Sequence, residues 1–97
     1  MKLVLTIVRD DDAGEVIDAL TQQGFYVTRL ASTGGFLRLG NTVLISGIQD
    51  DELEQMLNVI EGHTEIHVAP PVSDSEPKAS PSRAVVFVLD LQRVVRL

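Results

Sequence analysis

The sequence contains no cysteine and no tryptophan, and only one tyrosine and three phenylalanines. Without cysteine, disulfides, thiolate metal sites and cysteine nucleophiles are excluded together. Aromatic residues make up 4% of the chain against 44% hydrophobic residues, so the core must be built from Val, Leu and Ile. Basic residues are also scarce. Eight Lys and Arg stand against fourteen Asp and Glu, a formal net charge of −6. Sequence-independent binding of nucleic-acid polymers works by neutralising phosphates with Lys and Arg, so a chain of this sign is a poor candidate for it. A small anion remains open, because a few local donors hold one in spite of net charge. No apolar run approaches the roughly 20 residues that a membrane span needs. Met1-Lys2-Leu3 leads into an apolar alternation rather than into a signal-peptide h-region. The expectation is a cytoplasmic protein without a membrane partner. Its 97 residues suit one domain spanning 1–97, small enough to gain from self-association.

What is present reads as two similar halves. Leu3 to Val8 is short, apolar and rich in β-branched residues, and predicts a buried strand. Asp12 and Glu15 offer a capping box, after which Ala13, Val16, Ile17 and Leu20 recur at the spacing of one helical face. Gly24 is the expected left-handed cap, and Phe25 to Ser32 the next strand. The pattern repeats with a strand from Asn41 to Ile48 and a second capping box at Asp51 and Glu54. Leu53, Met56, Leu57 and Ile60 then give a second helical face, stopped at Gly62 as the first is at Gly24. Ile66, Val68 and Ala69 suit a following strand. The order β-α-β-β-α-β is the split arrangement of α+β, ferredoxin-like folds. Two helices cover one face of such a sheet, and apolar residues on both sides of the strands imply that the other face is buried by association.

From Pro70 to Ser82 the composition turns to Pro, Ser and charge, which predicts a mobile loop over about 70–83. Ala84 to Leu89 is too apolar for a tail and predicts an additional, buried C-terminal strand. Asp90 to Leu97 is long enough for a short helical turn.

Three groups of residues are candidates for chemistry. In Ala31 to Thr42, paired glycines permit close backbone approach, Phe36 offers an apolar plug and Arg38 a phosphate-directed charge. That combination suits a nucleotide. A β-hairpin turn at Gly34-Gly35, with Phe36 covering the core, accounts for the same residues. The glycines are not a P-loop, since no Gly-Lys-Ser/Thr follows. His63, Glu65 and His67 alternate and would share one strand face, as a metal site or a solvated edge requires, but further ligands are lacking and no metal is assigned. The acidic runs Asp10-Asp11-Asp12 and Asp50-Asp51-Glu52 lie where helices begin, where capping explains them. No serine has histidine and carboxylate partners in an interpretable arrangement, so the expectation is a protein that is not an enzyme.

The run Leu30-Ala31-Ser32-Thr33-Gly34-Gly35-Phe36-Leu37-Arg38, closed by Gly40-Asn41-Thr42, closely resembles the signature of the PII-like cyclic-di-AMP receptor family. These are bacterial signal transduction proteins related to the nitrogen regulatory PII proteins. Met1-Lys2 with the first strand, Gly47 in the third, and Ala84 to Val88 resemble the family as well. The resemblance implies a homotrimer with sheets facing inward and nucleotide pockets in the clefts between subunits. It also implies a downstream partner protein and no cofactor beyond the ligand. Thr28, Gly35, Phe36, Leu37, Asn41, Gly47 and Phe87 match positions at or near the family's pocket, and Arg38 joins them from the loop. The chain departs from the family at Gly24-Phe25-Tyr26, where Asn-Phe-Arg is common, and at Ser82-Arg83, where a glycine pair is common. Arg83 is therefore a candidate replacement for the missing charge. Cyclic-di-AMP is the leading ligand. A different anion or nucleotide such as ATP, or a ligand-free trimeric interaction module, are the alternatives.

Overall fold

The computed structural model describes residues 1–30, 40–68 and 81–97, and of residues 67, 68, 81 and 82 the backbone alone. Strand β1 (Lys2–Arg9) leads into helix α1 (Asp10–Gln22), followed by β2 (Thr28–Leu30) and β3 (Asn41–Ile48). A 3-10 turn at Asp50–Glu52 opens helix α2 (Leu53–Gly62), and β4 (His67–Val68), β5 (Pro81–Ser82) and β6 (Val85–Asp90) complete the order.

Helix α1 begins two residues before the capping pair that the sequence offers. All three aspartates lie in its first turn, and Arg9 at the cap position makes no side-chain capping bond. The carboxylates still sit at the positive end of the helix dipole. Asp10 instead accepts from the Thr42 hydroxyl, and Asp12 accepts from the Glu65 amide at 3.4 Å. The other end of α1 is as expected. Gly24 has φ +90°, its amide donates to Thr21 and the Phe25 amide donates to Leu20, each at 3.0 Å. That is a Schellman motif, and it turns Phe25 back onto Leu20 in the core. Phe25 is thus a core plug, and the regular strand starts only at Thr28.

Helix α2 also starts differently from the sequence expectation. The Glu52 carboxylate accepts from the Gln49 amide at 2.8 Å, so the capping pair precedes Asp51 and Glu54. Its end is not a second glycine cap, since Gly62 is the last helical residue and has no positive φ. Side chains close it instead: the Thr64 hydroxyl and the His63 Nδ1 donate to the carbonyls of Ile60 and Val59, both at 2.8 Å.

The main sheet has the order β2-β3-β1-β6 with every neighbouring pair antiparallel. This is the four-stranded α+β arrangement compatible with a ferredoxin-like fold. The strand expected from Ile66 to Ala69 does not join that sheet within the described residues. It forms β4 and pairs with β5 in a separate two-stranded ribbon, so the expected loop over 70–83 returns through a strand. Its residues 70–80 lie outside the described residues. The fourth place in the sheet goes to β6, so the last strand fills the order rather than adding to it. No helical turn follows, because residues 91–97 adopt no regular structure.

Alternation along the strands divides the sheet. Val4, Val8, Leu44 and Ile48 face the helices and pack in one core with Ala13, Val16, Leu20, Phe25, Met56 and Ile60. Leu3, Leu5, Ile7, Leu30, Val43, Ile45, Val85, Phe87 and Leu89 take the opposite parity, in register across all four strands. No described helix lies over them. β6, expected to be buried, exposes Phe87, Val88 and Leu89 by 38–46%. Phe87 and Leu89 lie on a face that this single chain leaves partly open: Leu30 on it is exposed as well, whereas Ile7 and Asn41 are buried.

Candidate functional site

Four of the candidate residues are described and stand on this open face. Thr28 opposes Ile45, which opposes Leu5, which opposes Phe87, so the four form one row across the sheet. Thr28 and Phe87 thus sit on the two opposite edges of it, three strand spacings or about 14 Å apart. Asn41 opens β3 opposite Arg9, and Gly47 lies near its far end opposite Leu3. Six residue steps along the strand separate them, about 20 Å. One chain therefore presents these side chains on one face without gathering them into one pocket.

The individual environments differ. Asn41 is buried, as is Ile7 on the same face, while Thr28 is exposed on a three-residue edge strand. The start of β3 is fixed firmly: the Asp10 amide donates to the Gly40 carbonyl at 2.8 Å, Gly40 has φ +97°, and Thr42 bonds Asp10 from the helix-covered side. These contacts anchor the end of the signature segment. Gly35, Phe36, Leu37 and Arg38 themselves lie outside the described residues. A Cβ at Gly47 would meet only the Met1 methyl at 3.9 Å, so its small size is not dictated by packing within the chain.

Arg83 does not reach toward the open face. Its guanidinium donates to the Thr64 carbonyl at 2.5 Å and braces the end of α2 against the start of β6. Of the residues that depart from the family pattern, Gly24 has a conformational reason in the Schellman motif, and Tyr26 stands 89% exposed ahead of β2. His63 is occupied by the helix end. Among the described residues no three of His, Cys, Asp and Glu stand close enough to hold a metal ion, and no helix is long and apolar enough to cross a membrane.

One residue of interest escaped the sequence reading. Arg9 ends β1 directly opposite Asn41, with a side chain 49% exposed. Read along the sequence it is merely the polar residue that stops an apolar strand, and only the pairing of β1 with β3 puts it beside a candidate site.

Comparison with known proteins bears on the family and the fold. The sequence profile described as cyclic-di-AMP receptor matches residues 1–97. Among solved structures, the chain is similar to a functionally unknown protein from Pediococcus pentosaceus ATCC 25745. The TM-score is 0.73 at 31% sequence identity, over 99% of this chain and 96% of that one.

Proposed function

This chain belongs to the cyclic-di-AMP receptor family, and from that membership we propose that it is a PII-like sensor which binds cyclic-di-AMP in clefts between the subunits of a homotrimer. The observation that carries the reading is the position of Thr28 and Phe87, both exposed, at opposite edges of one apolar sheet face that no described helix covers. A ligand that uses both within one subunit would have to span the sheet. Three copies packed by their open faces bring the β6 edge of one to the β2 edge of the next, where the same residues converge. Packing in this way also removes Leu30, Phe87 and Leu89 from water, each more than a third exposed in the single chain.

In that cleft Phe87 and Phe36 stack on adenine. Thr28 and Asn41 supply hydroxyl and amide hydrogen bonds, and the amides of Gly35 to Leu37 meet ring nitrogens or phosphate oxygens. Gly47 leaves room for the base. The protein acts as a binder rather than an enzyme. Binding orders the segments Thr33–Gly40 and Pro70–Arg83, and a downstream protein reads the shifted population. Domain 1–97 works as one unit in this scheme.

Titration calorimetry with cyclic-di-AMP, with ATP and cyclic-di-GMP as comparators, tests the reading. Binding of one cyclic-di-AMP per subunit, with light scattering reporting a trimer, is the expected result. No heat with cyclic-di-AMP at several temperatures would retire the receptor function, and binding of ATP alone would reassign the ligand. Hydrogen exchange equal with and without saturating ligand in both segments would remove the relay.

A further inference from the structure

A cyclic dinucleotide carries two phosphodiester charges, while this chain has a formal net charge of −6, so a cation at the pocket strengthens the hold that backbone amides provide. Of the candidate cations, Arg38 lies outside the described residues. Most described cations are badly placed for that. Lys2 is engaged by Asp90 at the far end of β1, about 24 Å along the strand from Arg9. Arg93 borders Met1 at that same far end, and Arg96 lies outside the sheet, six residues beyond the end of β6. Arg29 opposes Leu44 and therefore belongs to the helix-covered face. Arg83 is committed to the Thr64 carbonyl.

Arg9 differs on every count. It pairs with Asn41 across β1 and β3, so the two residues share the open face with Cβ atoms about 5 Å apart. It stands at the end of the sheet from which the signature segment enters β3. Its ion pair among the described residues is loose: Nη2 lies 3.9 Å from Asp11 Oδ2, with the two side chains 49% and 87% exposed. The neighbouring Asp10 carboxylate is occupied by the Thr42 hydroxyl on the other face.

We propose that Arg9 is a ligand-binding residue that holds a phosphate of the bound cyclic dinucleotide beside Asn41, and that Asp11 competes for it in the empty protein. The energetics favour the exchange. An exposed ion pair of this length is worth at most about fivefold in an equilibrium constant, whereas a charge-assisted bond to phosphate is worth about 10- to 100-fold. The planar guanidinium adds a two-pronged fit that an ammonium lacks. The inference rests on the proposed receptor function, and it makes two opposite predictions on adjacent residues.

The test is calorimetric titration of the full chain with cyclic-di-AMP at fixed salt, for the unsubstituted protein, Arg9→Gln, Arg9→Lys and Asp11→Asn. Circular dichroism and light scattering check that each variant keeps its fold and assembly. The expected result is affinity about 10- to 100-fold weaker for Arg9→Gln, intermediate for Arg9→Lys, and up to about fivefold tighter for Asp11→Asn. A purely structural role for the pair would not let Asp11→Asn tighten binding. Arg9→Gln within twofold of the unsubstituted protein would overturn the assignment while leaving the receptor reading intact, and Asp11→Asn no tighter would overturn the competition. An unsubstituted protein that binds no cyclic-di-AMP refutes the receptor reading, and the role of Arg9 falls with it.

Discussion

Gly24 and Gly62 close their helices in ways that predict opposite responses to the same substitution. A Cβ added at either position meets no atom within 4 Å, so neither packing nor a clash enters the comparison. What remains is backbone conformation. Gly24 sits at φ +90°, where alanine is strained, and Gly24→Ala should cost about 1–2 kcal/mol. Gly62 is the last residue of α2 and has no positive φ. There alanine restricts the unfolded chain and favours the helix, so Gly62→Ala should stabilise by roughly 0.5–1 kcal/mol. In a domain near this size, 1 kcal/mol moves the melting temperature by about 4–8 °C. Gly24→Ala should therefore melt about 4–16 °C lower, and Gly62→Ala about 2–8 °C higher. Thermal melts followed by circular dichroism must be run at one protein concentration, since an oligomer's melting point depends on it. A shift of the same sign for both substitutions would refute the reasoning.

Two further perturbations probe the open face and the surface charges. Ile45 lies in the middle of the row from Thr28 to Phe87, so Ile45→Asp would bury an unpaired charge in any inward-packed assembly. It should give a folded monomer in light scattering that has lost cyclic-di-AMP binding, and a persisting trimer would contradict packing by this face. Asp90 accepts from Lys2, and that hydrogen bond, with the attraction between the charges, holds its carboxyl below the ordinary value of 3.8. A depressed carboxylate stabilises the fold above its unfolded value, and the contribution is lost as pH falls through the folded one. Lys2, raised above 10.5 by the same bond, loses its part as pH rises through its own folded value. Carboxyl chemical shifts of Asp90 should give a midpoint below 3.8 that moves up in Lys2→Met, and an unchanged midpoint would show that the pair does not persist in solution.

Local periodicity disclosed the elements whose pattern is local. The faces of α1 and α2, the full extent of β3 and the glycine cap at Gly24 all follow from spacing within a few residues. Helix starts were less legible, because an aspartate at the entry to a helix serves equally as a cap or as a tertiary partner. Asp10 and Asp12 turned out to bond Thr42 and Glu65, from segments distant in sequence. The fourth strand was hidden for a similar reason. Ile66 and Val68 are apolar and β-branched, as are most of Val85 to Leu89, and only the pairing of β6 with β1 decides between the two segments. At the site, the resemblance supplied Thr28, Asn41, Gly47 and Phe87, and the strand register brought them to one face. Arg9 could not be found in this way, since its meaning lies in its cross-strand neighbour rather than in its sequence neighbours.

The ribbon of β4 and β5 makes the segment between them an interchangeable part. Two residue pairs, His67 with Ser82 and Val68 with Pro81, bring its ends together, and Arg83 ties the return strand to the end of α2. The place of β6 beside β1 depends on where these ends are held. Doubling the length of a loop whose ends are held costs about 0.6 kcal/mol, far less than one buried side chain contributes. Residues 69–80 can therefore be lengthened, shortened or replaced while β6 keeps its place beside β1. A change of sequence between the two short strands would alter what the protein displays without altering how it folds.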